Sequence, residues 1–235
     1  MKKIISYLIL IFLCNQTVYA QINPGPKNLP RYDHKKMHFG FTLGINSLDF
    51  NIQYNPDVIF QDSLYVLNSN NQKGFNLGIV SNFRLGEYTD LRFVPALVFG
   101  ERHLVYSFSD SNNIITNEKK AIESTLLDFP FYLKYKSVRY NNFRSYVLVG
   151  VKYSLDIASQ KDITDEGNVV LKLNPHDLMG EIGFGMDFYL EFFKFSPQIK
   201  VSSGILNLLH KDNTVYTSSI KNLYTNGWML SFTFE

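Results

Sequence analysis

The feature that most constrains this chain is a two-residue alternation of apolar and polar side chains that recurs eight times. In the stretch HFGFTLGIN, which begins at His38, every second residue is Phe, Leu or Ile, and the residues between them are Gly, Thr or Asn. Such alternation is typical of a β-strand with one apolar and one polar face. Alone, it does not tell whether the apolar face meets a protein core or lipid.

The length of the alternating segments favours lipid. Most run for roughly 9–12 residues, which suits a tilted membrane-spanning strand better than the strand of about 5–6 residues common in soluble sheets. The first segment extends to about Gln53, with a slip in the parity of its apolar residues near Ser47. The segments lie at about 38–53, 75–85, 91–102, 127–135, 144–156, 178–190, 193–202 and 228–235.

The connections between the segments alternate in length without exception. Long connections span 54–74, about 107–120, 157–176 and about 206–225, and short ones span 86–90, 136–142 and 191–192. Short periplasmic turns and long outward loops are typical of outer-membrane barrels. The sequence therefore predicts an all-β fold: an eight-stranded antiparallel up-and-down transmembrane β-barrel with short periplasmic turns and four long extracellular loops. A soluble β-sandwich is the competing interpretation, although its connections have no reason to alternate.

The start of the chain predicts export. A basic start, an apolar run over 4–13 and a small residue at Ala20 describe a signal peptide, 1–20, cut after Ala20. The only cysteine, Cys14, lies inside it, and Leu13 before it argues against lipidation. We expect a periplasmic N-terminal segment at 21–37 and the barrel at 38–235.

The charge balance excludes some partners. The chain has 23 Lys and Arg against 21 Asp and Glu, and two lysines lie in the expected signal peptide. The remaining chain is balanced, which gives no reason to expect nucleic acid.

The polar faces of the segments carry charges of both signs, which a barrel would enclose. Eight strands leave an interior just wide enough for side chains to fill, so these charges must pair or be hydrated. Glycines at 40, 44, 78, 100, 150, 183 and 185 are expected to make room for the long basic side chains. The predicted interior network consists of Arg84, Arg92, Arg102, Asp128, Lys134, Arg144, Lys152, Asp156, Glu181, Asp187, Lys194 and Lys200.

Three prolines argue against a regular barrel. Proline cannot donate to a strand ladder, and a closed barrel has no free edge. We therefore expect local irregularities at Pro95, Pro130 and Pro197.

The N-terminal segment is rich in proline and basic residues. Its simpler interpretation is a lead-in to the first strand. The functional interpretation is a docking strand for a partner, with Leu29 and Tyr32 as apolar anchors around Pro30 and Arg31.

No catalytic or metal-binding motif is present, and no cofactor or small-molecule substrate is expected. The five histidines form no ligand pair of familiar spacing. His103 with Ser107 and Asp110 is the nearest candidate for a hydrolase or acyltransferase site at the barrel rim. Four acidic residues could be considered for Ca²⁺ but lack the spacing of a known calcium loop. They are Asp162, Asp165, Glu166 and Asp177.

Three segments resemble a known family. NLPRYDHKKMHFGFTLGINSLDF (28–50) resembles the start of the PorT family, LDFPFYLKYK (127–136) its fourth strand, and FSPQIKVSSGILNLL (195–209) its seventh strand and following loop. The family contains small outer-membrane barrels associated with type IX secretion and gliding motility. The resemblance implies a non-enzymatic barrel needed for export of cargo bearing a C-terminal signal. Its implied partners are outer-membrane lipid and other type IX components.

One feature departs from the usual barrel, and one alternative function stays open. Glu235 follows Phe234, whereas barrel chains usually finish on the aromatic residue. The alternative function is a structural or adhesive small barrel that binds ligands through its extracellular loops.

Overall fold

The computed structural model describes residues 26–55, 64–109, 115–158, 173–210, 217 and 219–235. The expected signal peptide with Cys14, the rim candidate Asp110 and the loop acids Asp162, Asp165 and Glu166 lie outside the described residues. The described elements are a 3₁₀ helix at Tyr32–His34 and nine strands. The strands are β1 Met37–Tyr54, β2 Leu64–Arg84, β3 Thr89–Phe93, β4 Ala96–Ser109, β5 Ile115–Lys136, β6 Phe143–Asp156, β7 His176–Tyr189, β8 Lys194–Gly204 and β9 Ile220–Phe234. Within the described ranges, no helix has the length and apolar character needed to cross a membrane.

The strands form one closed antiparallel ring. Apart from β3 and β4, strands that follow one another in the chain pair with each other, and β1 pairs with both β2 and β9, which closes the sheet. β3 and β4 both lie between β2 and β5 in one register, so they are a single barrel strand interrupted at Val94 and Pro95. The ring therefore has eight strand positions, and the predicted eight-stranded up-and-down barrel is confirmed.

The faces of β1 answer the question raised by the opening alternation. Phe39 is 63% exposed on the outside of the ring, whereas Asn46 is 0% exposed inside it. The same division holds on β6, where Val149 is exposed and Leu148 and Lys152 are buried. A closed ring has only one enclosed space, and here the polar residues line it.

The three prolines behave differently from one another. Pro95 interrupts the third strand position, and its carbonyl accepts a bond from the Ile79 amide at 3.0 Å. Pro197 pairs with Phe232 of β9, while its pairing with β7 lapses.

The irregularity expected at Pro130 is present on one side of β5 only. The pairing with β6 is continuous there, whereas the pairing with β3 and β4 skips Phe129 and Pro130. The Pro130 carbonyl accepts a bond from the Val94 amide at 3.4 Å. The backbone nitrogen of Pro130, which has no hydrogen to donate, points to the same side, towards the interrupted strand.

The parity slip near Ser47 does not interrupt the pairing of β1. The pairing of β1 with β9 is continuous from Phe41 to Gln53, so Leu48 and Phe50 point into the barrel. They can do so because the interior becomes apolar towards the long loops. A buried cluster there consists of Phe50, Leu104, Tyr106, Leu173, Leu208, Leu209, Ile220 and Leu223.

Several strands extend beyond the predicted segments into the predicted long loops. β2 begins at Leu64, β5 at Ile115 and β9 at Ile220. Each of these strands therefore begins several residues before the predicted segment does. Backbone pairing does not require an apolar outer face once a strand leaves the bilayer, so hydrophobic alternation cannot reveal these extensions.

Candidate functional site

The structure places most of the predicted interior charges inside the barrel. Ten of the twelve are buried, whereas Arg84 and Asp156 are only partly buried. Arg84 lies just before the short turn after β2 and donates to the Gly86 carbonyl at 3.0 Å. The Asp156 carboxylate accepts from the Ala158 amide at 3.0 Å at the loop end. These two residues therefore mark the ends of the interior rather than its centre.

The first charge cluster lies near the periplasmic end. Lys134 of β5 contacts the Asp187 carboxylate at 2.9 Å, and Lys194 of β8 contacts the Glu235 carboxylate at 2.8 Å. Arg92 of β3 also pairs with Glu235. Five strand positions contribute to this cluster, so it holds opposite sides of the barrel together. Glu235 was missing from the predicted network, although the eighth alternation had placed it on the polar face.

The second charge cluster lies deeper in the barrel. Lys152 contacts the carboxylates of Asp128 at 3.1 Å and Glu181 at 3.0 Å. Tyr132 donates its hydroxyl to Glu181 and accepts a bond from Lys200 at 3.1 Å. Every charged member has a partner, as buried charges require.

The interior glycines accommodate tyrosines more than basic side chains. A Cβ at Gly185 would lie 2.4 Å from the Tyr146 ring, and one at Gly150 would lie 2.7 Å from the Tyr132 ring. Only Gly183 among the seven has a lysine, Lys200, in this position. The Tyr146 ring makes a cation–π contact with Lys134, whose ammonium group lies 3.6 Å from the ring centroid.

The periplasmic mouth is covered by the N-terminal segment. Asp33 contacts Arg139 at 3.1 Å and Arg144 at 3.0 Å. Burial tends to raise the pKa of Asp33, but the two arginines outweigh this effect and lower it. Arg139 was missed because it lies in a short turn outside any alternating segment.

Tyr32 enters the mouth instead of facing the periplasm. Its hydroxyl donates to Glu235 at 2.6 Å, and its ring stacks on His38 with centroids 3.9 Å apart. Burial and the neighbouring Glu235 carboxylate raise the pKa of Tyr32, so the phenol stays protonated.

The docking interpretation of this segment therefore needs correction at Tyr32, whose hydroxyl bonds and ring contacts are made inside the barrel. Pro30 and Arg31 are exposed, and Leu29 is partly exposed with a φ of 48°. We call residues 28–36 the mouth strap.

The proposed rim site for a hydrolase is not assembled by the described residues. His103 and Ser107 lie on the same strand four residues apart, which separates them by about 13 Å. His103 pairs instead with Glu101. No group of three possible metal ligands occurs in the part of the chain that the structure describes.

A small cavity of about 20 Å³ lies beneath the extracellular loops. Arg102 lines it, donates to Ser124 at 2.7 Å and to Thr225 at 3.2 Å, and stacks over Phe50. Asp177, the fourth acid considered for Ca²⁺, also lines it, and its carboxylate has no hydrogen-bond partner among the described residues. The space suits a water molecule.

Comparison with known proteins gives a family and a set of similar barrels. The chain is similar to OprG of Pseudomonas aeruginosa (16% identity, 83% of this chain and 93% of that chain, TM-score 0.47). It is also similar to Neisserial surface protein A (11% identity, 85% of this chain and 98% of that chain, TM-score 0.42). A third similar structure is the N-terminal barrel domain of Pseudomonas aeruginosa OprF (14% identity, 82% of this chain and 96% of that chain, TM-score 0.33). No curated protein sequence matches.

The family model for the outer membrane protein beta-barrel domain matches residues 19–210. This range includes the mouth strap and every strand up to β8. The chain therefore belongs to the outer-membrane β-barrel domain family and is a protein of the outer membrane.

Proposed function

We propose that this protein is a non-enzymatic accessory of the type IX secretion system, needed for export of cargo that bears a C-terminal signal and for gliding where that occurs. The observation that carries this proposal is the resemblance of residues 28–50 to the PorT family. In the structure this stretch forms the mouth strap and most of β1, so the resemblance falls on the part that covers the periplasmic mouth.

The filled interior supports an accessory role over that of a conduit. Arg92, Tyr132 and Leu148 point into the lumen and are almost completely buried there. No polypeptide passes through a barrel of eight strands whose interior is packed in this way. The protein would instead act through its surfaces, after export that depends on its signal peptide.

The periplasmic end offers a surface for partner proteins. Pro30 and Arg31 of the strap are exposed there, next to the short turns. Those turns carry exposed apolar residues, among them Val138, Tyr140 and Phe192. Exposed aromatic and proline residues beside an arginine are typical of protein interfaces.

The alternative function, a structural or adhesive small barrel that binds ligands through its extracellular loops, fits the outer-membrane barrel family equally well. Deleting the gene and measuring secreted proteins separates the two. Loss of C-terminal-signal cargo from the medium, restored by the wild-type gene, supports the secretion role. Normal export with altered adhesion supports loop binding, and normal export with altered lipid composition supports a rim enzyme.

A further inference from the structure

Asp33 occupies a binding site that is made entirely by the barrel. Arg139 contacts one carboxylate oxygen at 3.1 Å, Arg144 contacts the other at 3.0 Å, and the Tyr189 hydroxyl donates to the carboxylate at 3.3 Å. All three belong to the barrel, whereas Asp33 belongs to the mouth strap. Two guanidinium groups placed on the two oxygens of one carboxylate make a specific receptor for that group.

Arg139 contacts the strap twice, at the Asp33 carboxylate and at the Asn28 carbonyl, and contacts the barrel at three further places. Its Nε donates to the Asn141 carbonyl at 2.8 Å, and its Nη2 donates to the Asn142 side chain at 3.0 Å. Its guanidinium also lies 3.6 Å from the centroid of the Tyr189 ring. These three barrel contacts remain when the strap leaves with Asp33 and Asn28, and we infer that they keep Arg139 in position.

Arg144 has spare capacity for a ligand. It is buried, and its Nε has no partner among the described residues. It lines a cavity of about 10 Å³, enough for a water molecule, between the strap and the lumen. A buried guanidinium group without a carboxylate partner is destabilising. Withdrawal of Asp33 therefore favours the binding of another anion beside Arg144.

The strap is held by contacts that can be exchanged. Its backbone bonds to the strands in only one described place, where the Lys36 carbonyl accepts from the Arg84 amide at 2.8 Å. In its other contacts at least one partner is a side chain: the Asn28 amide donates to the Asn142 side chain at 2.8 Å, and the Tyr32 hydroxyl donates to Glu235 at 2.6 Å. A segment without ladder pairing can leave without disturbing the ring.

We propose that Arg139 and Arg144 form a carboxylate receptor at the periplasmic mouth, which Asp33 occupies in the resting protein, and that an aspartate or glutamate side chain of a periplasmic polypeptide replaces Asp33 there. Charge complementarity selects this occupant, because the receptor is cationic and is filled by a carboxylate from a peptide. The measurement uses purified protein and stands apart from any role in secretion.

The test measures binding of a fluorescein-labelled peptide, Gly-Asp-Gly-Tyr-Asp-Gly, by fluorescence anisotropy with the folded protein in detergent micelles. Asp33→Ala removes the internal competitor, so we expect it to bind the peptide about tenfold more tightly than the wild type does. Adding Arg144→Gln to Asp33→Ala should abolish this gain. Adding Arg84→Gln should leave it unchanged, since Arg84 lies at the same mouth, whereas the described ion pairs of Asp33 are with Arg139 and Arg144.

The proposal is overturned if Asp33→Ala gives no gain, if Arg144→Gln and Arg84→Gln give equal losses, or if a peptide with both Asp replaced by Asn binds equally well. Stronger binding of inorganic phosphate or of phosphatidylglycerol vesicles than of the peptide also overturns it, in favour of a phosphate ligand. Heat-modifiable gel mobility verifies that each variant is folded.

Discussion

Glu235 balances two buried cations at the periplasmic end of the lumen. Its side chain is fully buried between Arg92 and Lys194. Replacing it with glutamine keeps the shape but leaves both cations with less compensation. Because removing one partner from a buried ion pair costs about 3–5 kcal/mol, we expect Glu235→Gln to lower the free energy of unfolding by about this amount. Urea titration in lipid vesicles, followed by gel mobility, measures it.

The matched control is Glu101→Gln. Glu101 pairs with His103, but its side chain is 43% exposed, so this change should cost less than about 1 kcal/mol. If the two variants lowered the free energy of unfolding equally, burial of Glu235 would not account for its contribution to stability.

Gly185 and Gly180 test the packing of the lumen on a single strand. A Cβ at Gly185 would meet the Tyr146 ring at 2.4 Å, whereas a Cβ at Gly180 would meet nothing within 4 Å. Overpacking typically costs about 1–3 kcal/mol, so Gly185→Ala should lower the free energy of unfolding by that amount. Gly180→Ala should change it little, and a comparable loss would contradict the close approach of Tyr146. The same urea titration serves for both.

At the scale of elements, the mouth strap should respond to acid through Asp33. The folded pKa of Asp33 lies below its ordinary value of about 3.9. Its contribution to strap binding is therefore complete above that value and is lost as the pH falls through the folded pKa. A dye on Arg31→Cys should become more mobile in this range, as measured by anisotropy between about pH 7 and pH 2.

The control for the strap is the same labelled protein with Asp33→Asn. Asparagine does not titrate, so its anisotropy should be low already at neutral pH and should change little in acid. An acid transition of unchanged size in this variant would assign the response to another group, such as Glu235.

The strands that cross the bilayer were predictable, and the elements beyond it were not. Alternation identified all eight ring positions because lipid and lumen impose opposite polarity on successive residues. It failed at Leu48 and Phe50, where the lumen itself is apolar, and at the start of β5, where the sequence ITNEKK shows no apolar alternation. The same logic explains the site. Lys152 and Glu181 lie on alternating segments, whereas Asp33 and Arg139 are brought together only by tertiary structure.

At the scale of the whole molecule, the outer face shows where the bilayer lies. Phe143 and Tyr153 are outward-facing aromatic residues on β6 with exposed valines between them. Ten residues of a strand tilted by about 40° span about 25 Å, which matches the apolar band of outer-membrane barrels. Val149 therefore lies near the middle of the membrane, and Val138, in the short turn before β6, lies outside it.

This placement separates a lipid-facing barrel from a soluble sheet, because the two differ in what an exposed valine contacts. Val149 is 56% exposed and Val138 is 69% exposed, so in water arginine would be tolerated at both. In a bilayer, Val149→Arg should lower the free energy of unfolding by about 2–4 kcal/mol, and Val138→Arg by about 0–1 kcal/mol. Urea titration in lipid vesicles measures both. Equal changes in the free energy of unfolding for the two variants would contradict a lipid contact at Val149. A larger decrease for Val149→Arg than for Val138→Arg is the result that a lipid contact requires.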